Sequence, residues 1–101
     1  MVLVRQELGD VLRDVRLQKG RTLRQVASKA SVALGYLSEI ERGQKEASSE
    51  ILASVADALD TPVSYILREV GDRMAVLEGV PLIPDTVPDD LVSGFDPSFT
   101  R

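Results

Sequence analysis

The chain has 101 residues, enough for one small domain with a single core but too few for an enzyme with a deep cleft and a lid. It contains no cysteine and no histidine, which excludes disulfides, zinc sites built on these residues and catalysis by their side chains. The net charge is -4, yet residues 1–45 hold 9 Lys and Arg against 5 Asp and Glu, whereas residues 46–101 hold 3 against 11. The basic first half is compatible with DNA binding, because the binding of phosphates depends on the local charge of the docking face and not on the net charge.

The first predicted helix covers residues 4–19. Apolar residues recur along it at helical spacing in one stripe: Val4, Leu8, Val11, Leu12 and Val15. Lys19 in the last turn and Gly20 after it predict its end. Thr22 and Gln25 are three residues apart, which predicts a capping box at the start of the next helix.

Residues 22–43 predict two short helices joined by a four-residue turn over residues 30–33. The first helix gathers its apolar residues on one face: Leu23, Val26, Ala27 and Ala30. In the second, Leu37 and Ile40 point inward. At about 100° per residue, its opposite side carries Gly35, Ser38, Glu39 and Arg42. The second helix therefore has a slim polar face, and a short turn joins it to the first helix. This is the shape of a helix that enters a DNA major groove.

The run over residues 32–43, VALGYLSEIERG, with LRQVA upstream, resembles the helix-turn-helix of the XRE, or phage repressor-like, transcription regulators. The resemblance covers residues 8–67 and implies an all-α, five-helix, lambda-repressor-like DNA-binding domain. More narrowly, the small size, the motif and the short tail resemble actinobacterial regulators of Clp protease genes. Two positions depart from the family pattern. Ser31 replaces the usual turn glycine and Ala33 the usual Ser or Thr cap, each at a cost of about 1 kcal/mol.

Glu41 falls only about 40° from Leu37 on the second helix of the motif, at the edge of the core. A carboxylate there needs a partner. The resemblance implies a structural ion pair with Arg16 of the first helix. The alternative is that Glu41 reads a base.

Two further helices follow a loop over residues 44–47. Ser48 or Ser49 is expected to cap the fourth helix, and Thr61 followed by Pro62 to open the fifth.

An apolar stripe continues along the fifth helix beyond the point where the domain is complete, and Gly71 with Asp72 is expected to bend or restart the helix. We expect a DNA-binding domain over residues 1–69 and a helical extension over residues 70–79 that forms a dimer surface. Its expected contact residues are Val70, Met74 and Leu77. The alternative is that this segment folds back onto its own monomer.

Residues 80–101 carry four prolines and no helical period, which predicts an irregular, acidic tail. The tail either docks on a partner or lies against the domain. The narrower resemblance implies a degradation signal in it, with a Clp-type protease as partner.

The resemblance implies a symmetric homodimer on double-stranded DNA, with two recognition helices about 34 Å apart on a near-palindromic operator. The residues expected to face bases are Leu34, Gly35, Ser38 and Glu39. The residues expected to hold phosphates are Thr22, Arg24, Gln25, Arg42 and Lys45, with Arg21 beside them. For each base-facing residue the alternative is a solvated surface without contact.

The expected function is therefore transcription regulation. The narrower resemblance implies activation of Clp protease and stress-response genes, with RNA polymerase as partner. Two alternatives are an antitoxin that binds a toxin through its tail and an adaptor that has lost DNA binding. We expect no enzyme, cofactor, metal or small-molecule effector. No apolar run approaches the roughly 18 residues that span a bilayer, and the first ten residues lack a signal-peptide core, so we expect a cytoplasmic, nucleoid-associated protein without membrane contact.

Overall fold

Five α-helices and their connecting turns make up residues 1–79, the part of the chain that the computed structural model describes. The helices are α1 (Val4–Gln18), α2 (Leu23–Ala30), α3 (Leu34–Glu41), α4 (Ser49–Ala58) and α5 (Val63–Leu77). The predicted all-α, five-helix architecture is confirmed. The tail over residues 80–101, with its expected irregular structure and degradation signal, lies outside the described residues.

One hydrophobic core joins the five helices. α1 packs against α3 and α5, α2 against α3 and α4, and α4 against α5. The largest fully buried side chains are Leu12, Leu37, Ile40, Leu59 and Ile66. Each contributes roughly 1.5–3 kcal/mol by leaving water. This packing holds helices such as α2 and α3, which have 8 residues each and are too short to be stable alone. No helix within residues 1–79 has the length and apolar character needed to cross a membrane.

Local capping signals set the starts of two helices. The Thr22 hydroxyl accepts a bond from the Gln25 amide (3.1 Å), and the Gln25 side-chain oxygen accepts one from the Thr22 amide (2.9 Å), which is the predicted capping box. The Ser48 hydroxyl likewise accepts from the first turn of α4. The expected Thr61 cap of α5 is wrong, because that hydroxyl instead donates to the Leu59 carbonyl at 2.9 Å.

The fifth helix is continuous from Val63 to Leu77, so a restart of the helix at Gly71 and Asp72 is wrong. Val70, just before these residues, is only 5% exposed in the core. Just after them, Arg73 Nη2 donates to Asp14 Oδ2 of α1 at 2.5 Å. The stabilisation of the helix by contacts on both sides of Gly71 therefore outweighs the roughly 1 kcal/mol that a glycine costs inside a helix.

The end of α5 folds back in part onto its own monomer, the alternative left open by the sequence. Val70 lies in the core and Met74 packs partly against it. The expectation that Val70 forms a dimer surface is therefore wrong, since its side chain is already covered. Three apolar side chains of α5 remain exposed: Leu67 at 51%, Val76 at 62% and Leu77 at 58%.

Candidate nucleic-acid interface

The turn between α2 and α3 has the conformation of a helix-turn-helix joint despite its unusual residues. Ser31 lies in the left-handed region, with φ 58° and ψ 43°. The Val32 amide donates back to the Ala27 carbonyl at 2.9 Å, which satisfies the end of α2. Ala33 occupies the N-cap of α3 and provides no side-chain hydrogen bond. Ser31 therefore has a backbone conformation that favours glycine, and Ala33 occupies a position where a side-chain oxygen would usually cap the helix.

α3 is anchored along its inner edge by Leu37 and Ile40, which are almost completely buried. α1 crosses it closely at Gly9, where an added Cβ would overlap the carbonyl oxygens of Ile40 and Glu41. Only glycine allows this approach. This role of Gly9 was not predicted from the sequence, although a single glycine inside a helical pattern often has a packing reason.

Arg16 of α1 holds Glu41 at the end of α3. The guanidinium donates from Nε to Glu41 Oε2 at 2.7 Å and from Nη2 to Glu41 Oε1 at 3.0 Å, and its Nη1 donates to the Arg21 carbonyl at 3.0 Å. The two side chains are 13% and 8% exposed. The bond to Glu41 raises the pKa of Arg16, although burial acts in the opposite direction. The expected ion pair is present. Because both carboxylate oxygens are bound by α1, the alternative that Glu41 reads a base is wrong.

The outer side of α3 is open. Gly35 is exposed, and an added Cβ there would meet no atom within 4 Å. Ser38 and Glu39 are half-buried, and Arg42 is exposed at the C-cap. Arg42 Nη1 donates to Ser38 Oγ at 3.0 Å and Nη2 to Gln44 Oε1 at 3.4 Å. These residues share the outward face as predicted, whereas Leu34 packs partly against the core.

The start of α2 presents a second group of candidate residues. Thr22, Arg24 and Gln25 are all exposed there. The capping box uses the Thr22 hydroxyl and the Gln25 side-chain oxygen, which leaves the Gln25 side-chain nitrogen as a donor for an outside acceptor. The first amides of a helix also favour an anion. The start of α2 is therefore chemically suited to a DNA phosphate.

The loop that carries Lys45 is fixed by two bonds that the sequence analysis missed. Arg5 Nε of α1 donates to the Gly43 carbonyl, and the Tyr36 hydroxyl donates to the Glu46 carbonyl, both at 3.1 Å. Both partners are backbone oxygens, which no residue pattern identifies. Lys45 itself is exposed.

Two groups of cations differ in their ion pairing. Arg16, Arg21 and Arg73 each form a short ion pair with a carboxylate. In contrast, no Asp or Glu of the described segment lies within ion-pair distance of the exposed cations Arg24, Arg42 and Lys45. The charges on the candidate interface thus remain available to an outside anion.

Arg21 belongs to the first group, so its guanidinium, next to the start of α2, already has an internal carboxylate partner. Its Nη2 donates to Asp60 Oδ2 at 2.6 Å, and its Nη1 to the Ala58 carbonyl. This contact fastens the corner before α2 to the end of α4. The Arg21 guanidinium lowers the pKa of Asp60, with a smaller contribution from Lys29.

A family model described as Helix-turn-helix matches residues 12–66, more than half of the chain. The chain belongs to the XRE-type helix-turn-helix family. It is 58% identical over 73 residues to the transcriptional regulator ClgR of Mycobacterium tuberculosis, a match that covers 72% of this chain and 65% of the relative. The chain thus spans just under two thirds of the relative's length. It is 40% identical over 63 residues to the regulator SinR of Bacillus subtilis, covering 61% of this chain and 57% of SinR.

Solved structures of this helix-turn-helix family have the same fold. The clp gene regulator ClgR of Corynebacterium glutamicum superposes with a TM-score of 0.74 at 42% identity, covering 94% of this chain and 93% of that one. The restriction-modification controller protein C.AhdI of Aeromonas hydrophila gives 0.58 at 29% identity, covering 65% of this chain and 94% of that one. These relatives are named as regulators or controllers and not as enzymes.

Proposed function

We propose that the chain is a sequence-specific DNA-binding transcription regulator that binds a near-palindromic operator as a homodimer. One observation carries the proposal: α3 has an exposed, slim face, and Arg42 on this face and Arg24 and Lys45 beside it have no carboxylate partner within residues 1–79. Such a face satisfies both needs of DNA recognition, since α3 fits a major groove and the cations neutralise phosphates.

The contacts divide by position around α3. Leu34, Gly35, Ser38 and Glu39 face bases in the proposed complex. The exposed groups at the start of α2 and in the loop after α3 hold the backbone on either side: Thr22, Arg24, Gln25 and Lys45. Leu34 provides an apolar contact for a thymine methyl, and Glu39 accepts from a cytosine amino group. Gly35 permits close approach.

The dimer surface that we propose differs from the one expected from the sequence. It uses the apolar side chains of α5 that remain exposed, Leu67 and Leu77, rather than the buried Val70. Gly71 lies one turn after Leu67, and an added Cβ there would meet no atom of the described chain within 4 Å. A bare position beside an exposed leucine lets a second helix approach closely.

The similarity to ClgR supports a more specific role. The names of the mycobacterial and corynebacterial relatives indicate regulation of transcription and of clp genes, respectively. We propose that this chain activates genes of a Clp-type protease and of the stress response in the cytoplasm, on the nucleoid, in contact with RNA polymerase. Its own turnover by such a protease, and the antitoxin alternative, depend on the tail, which lies outside the described residues.

Binding of the full chain to a fluorescent duplex from the region upstream of a clp gene tests the proposal. We expect tighter binding than to a scrambled duplex, and a loss of about a hundredfold or more in affinity between about 50 and 200 mM salt. Replacing both Arg24 and Lys45 with Ala should weaken binding and reduce the salt dependence. Arg68→Ala, which removes an exposed cation of α5, is the matched control.

Equal affinity for both duplexes with no dependence on salt would instead indicate the adaptor that has lost DNA binding. Equal affinity for the two duplexes together with a strong dependence on salt would show DNA binding without sequence specificity and would contradict that part of the proposal.

A further inference from the structure

The guanidinium of Arg42 is folded back along α3. Arg42 is the C-cap residue, yet its Nη1 lies 3.0 Å from Ser38 Oγ, one turn closer to the helix start. One turn is about 5.4 Å. Arg42 Nη2 donates to Gln44 Oε1 at 3.4 Å, so the charge lies beside the last turn of α3, between Ser38 and Gln44. This direction is the ordinary one, since helical side chains point toward the N-terminus.

Arg42 also lies at the centre of the outward face. At about 100° per residue, Arg42 and Gly35 differ in direction by only about 20°, with Ser38 on one side and Glu39 on the other. When a helix enters a major groove, the middle of its outer face is directed at the base edges, and its flanks are directed at the phosphates. This position favours a base contact for Arg42.

The chemistry of the outward face points the same way. Leu34 and Gly35 have no polar side-chain atoms, and an ionised Glu39 only accepts hydrogen bonds. Among the described residues of α3 and its C-cap, Arg42 is the cation on this face. An arginine fork matches the O6 and N7 acceptors of guanine. Because Ser38 accepts its bond from Arg42, the hydroxyl proton of Ser38 is directed to another acceptor.

We propose that Arg42 reads a guanine in each operator half-site and that Ser38 positions its guanidinium for this contact. This inference rests on the proposed function and replaces the phosphate role expected for Arg42 from the sequence. It gives α3 an arginine fork as donor and, in Glu39, a carboxylate as acceptor for base edges.

Selection from a pool of duplexes with a randomised centre tests the proposal, using the full chain and Arg42→Ala. We expect the unaltered protein to enrich a guanine at one position of each half-site. Arg42→Ala should lose this preference and keep the others. In the enriched duplex, 7-deazaguanine at that position removes the N7 acceptor. It should weaken the unaltered protein about tenfold or more, and leave the variant unaffected.

Two further comparisons separate recognition from charge and from folding. Arg42→Lys keeps the charge but loses the planar fork, so it should weaken the guanine preference with an unchanged salt slope. Ser38→Ala should reduce the preference, and Ser38→Thr should retain it. Circular dichroism establishes that each variant is folded.

The outcomes are distinct. If Arg42→Ala enriches the same bases, weakens all duplexes alike and reduces the salt slope by about one, Arg42 binds phosphate and the inference fails while the proposed function stands. If the unaltered protein enriches no sequence, the sequence-specific function fails and this inference fails with it.

Discussion

Arg16 and Glu41 show how one pair of residues fixes the orientation of the recognition helix. α3 has 8 residues, and its end is held by two hydrogen bonds from α1 to a carboxylate that is 8% exposed. A charge removed from water this far is stable only with its partner. The pair therefore determines where α3 ends against the domain.

Replacing Glu41 with Gln should destabilise the fold strongly. The change keeps the shape of the side chain but leaves Arg16 as a largely buried cation without a counter-charge, which costs about 3–5 kcal/mol. Urea unfolding measures this free energy. The control is Glu46→Gln, since the pair of Glu46 with Arg5 is long, at 3.9 Å, and exposed, and such pairs contribute only about 0–1 kcal/mol. Similar unfolding midpoints for the two variants would show that the ion pair does not anchor α3.

Gly35→Ala should separate folding from DNA binding. Nothing in the described chain occupies the space of the new methyl group. The substitution should therefore stabilise the helix, by up to about 0.5–1 kcal/mol. It should weaken binding to the selected duplex, because the same methyl group enters the space between α3 and the bases. Thermal unfolding and anisotropy on one preparation measure both effects. A variant that is more stable and binds equally well would place Gly35 outside the contact.

The turn between α2 and α3 lacks two residues that would stabilise it, a glycine at position 31 and a capping side chain at position 33. Ser31 adopts a left-handed conformation that favours glycine, and Ala33 leaves the start of α3 without a side-chain cap. α2, by contrast, begins with a complete capping box. The recognition helix is the one that lacks local support, so it depends on burial of Leu37 and Ile40 and on the Arg16 pair.

Ala33→Ser should stabilise the domain by about 0.5–2 kcal/mol, because the hydroxyl would accept a hydrogen bond from the first turn of α3. Thr22→Ala removes the equivalent group from α2 and should cost a similar amount. Chemical denaturation of both variants measures the two changes. If Ala33→Ser leaves the unfolding free energy unchanged, the α3 N-terminus gains nothing from a cap.

The contact between Arg21 and Asp60 should make stability depend on pH. Arg21 lowers the pKa of Asp60, so the folded state favours the ionised carboxylate. The contribution is therefore present above the ordinary pKa of Asp60 and is lost as the pH falls through the lowered value. Asp60→Asn retains a residue that tolerates the observed φ of 52°. The stability difference between the two proteins should shrink toward zero on acidification, as measured by unfolding at a series of pH values.

A difference that stayed constant with pH would indicate that the carboxylate charge is not involved. Asp57→Asn, an exposed aspartate of α4, is the control for a general loss of negative charge.

Local signals explain which parts of the fold were predictable. The capping box at Thr22 and the apolar spacing of Leu37 and Ile40 lie within a few residues of the elements they define. Gly71 was misleading, because its cost of about 1 kcal/mol is local whereas the packing of Val70 is not. The contact between Arg21 and Asp60 was not predictable either, because it joins positions 39 residues apart in the sequence.

The candidate site was predictable to a similar extent. Helical geometry alone placed Gly35 and Arg42 on the outward side of α3, and the resemblance supplied the Arg16 partner of Glu41. The direction of the Arg42 guanidinium depends on its bond to Ser38, and the loop after α3 depends on bonds to backbone oxygens. Residue spacing contains no information about either.

The proposed DNA face and the proposed dimer surface belong to different helices. α3 carries the first, whereas Leu67 and Leu77 lie on α5. Since α5 packs along α1, and α1 holds the end of α3, the geometry of a dimer would pass to the recognition helices through a rigid core. The spacing of two half-sites would then be set by how α5 meets its copy.

Leu67→Glu should convert the proposed dimer to a monomer without unfolding it. The side chain is 51% exposed, so the charge costs little in the monomer but would be buried against a second copy. Sedimentation at micromolar concentration measures the mass, and affinity for a two-half-site duplex should fall with it. Leu17→Glu, at a side chain 56% exposed on α1, is the control. A single-chain mass for the unaltered protein would refute the dimer.

The division of the cations has a consequence for how this protein changes over generations. The charges that hold the helices together and the charges that face outward are separate sets, with Arg16 in the first and Arg24, Arg42 and Lys45 in the second. Substitutions in the second set remove no internal ion pair of the described chain. Substitutions in the second set can therefore change the proposed affinity for DNA and, at Arg42, the proposed base preference, while the scaffold stays intact.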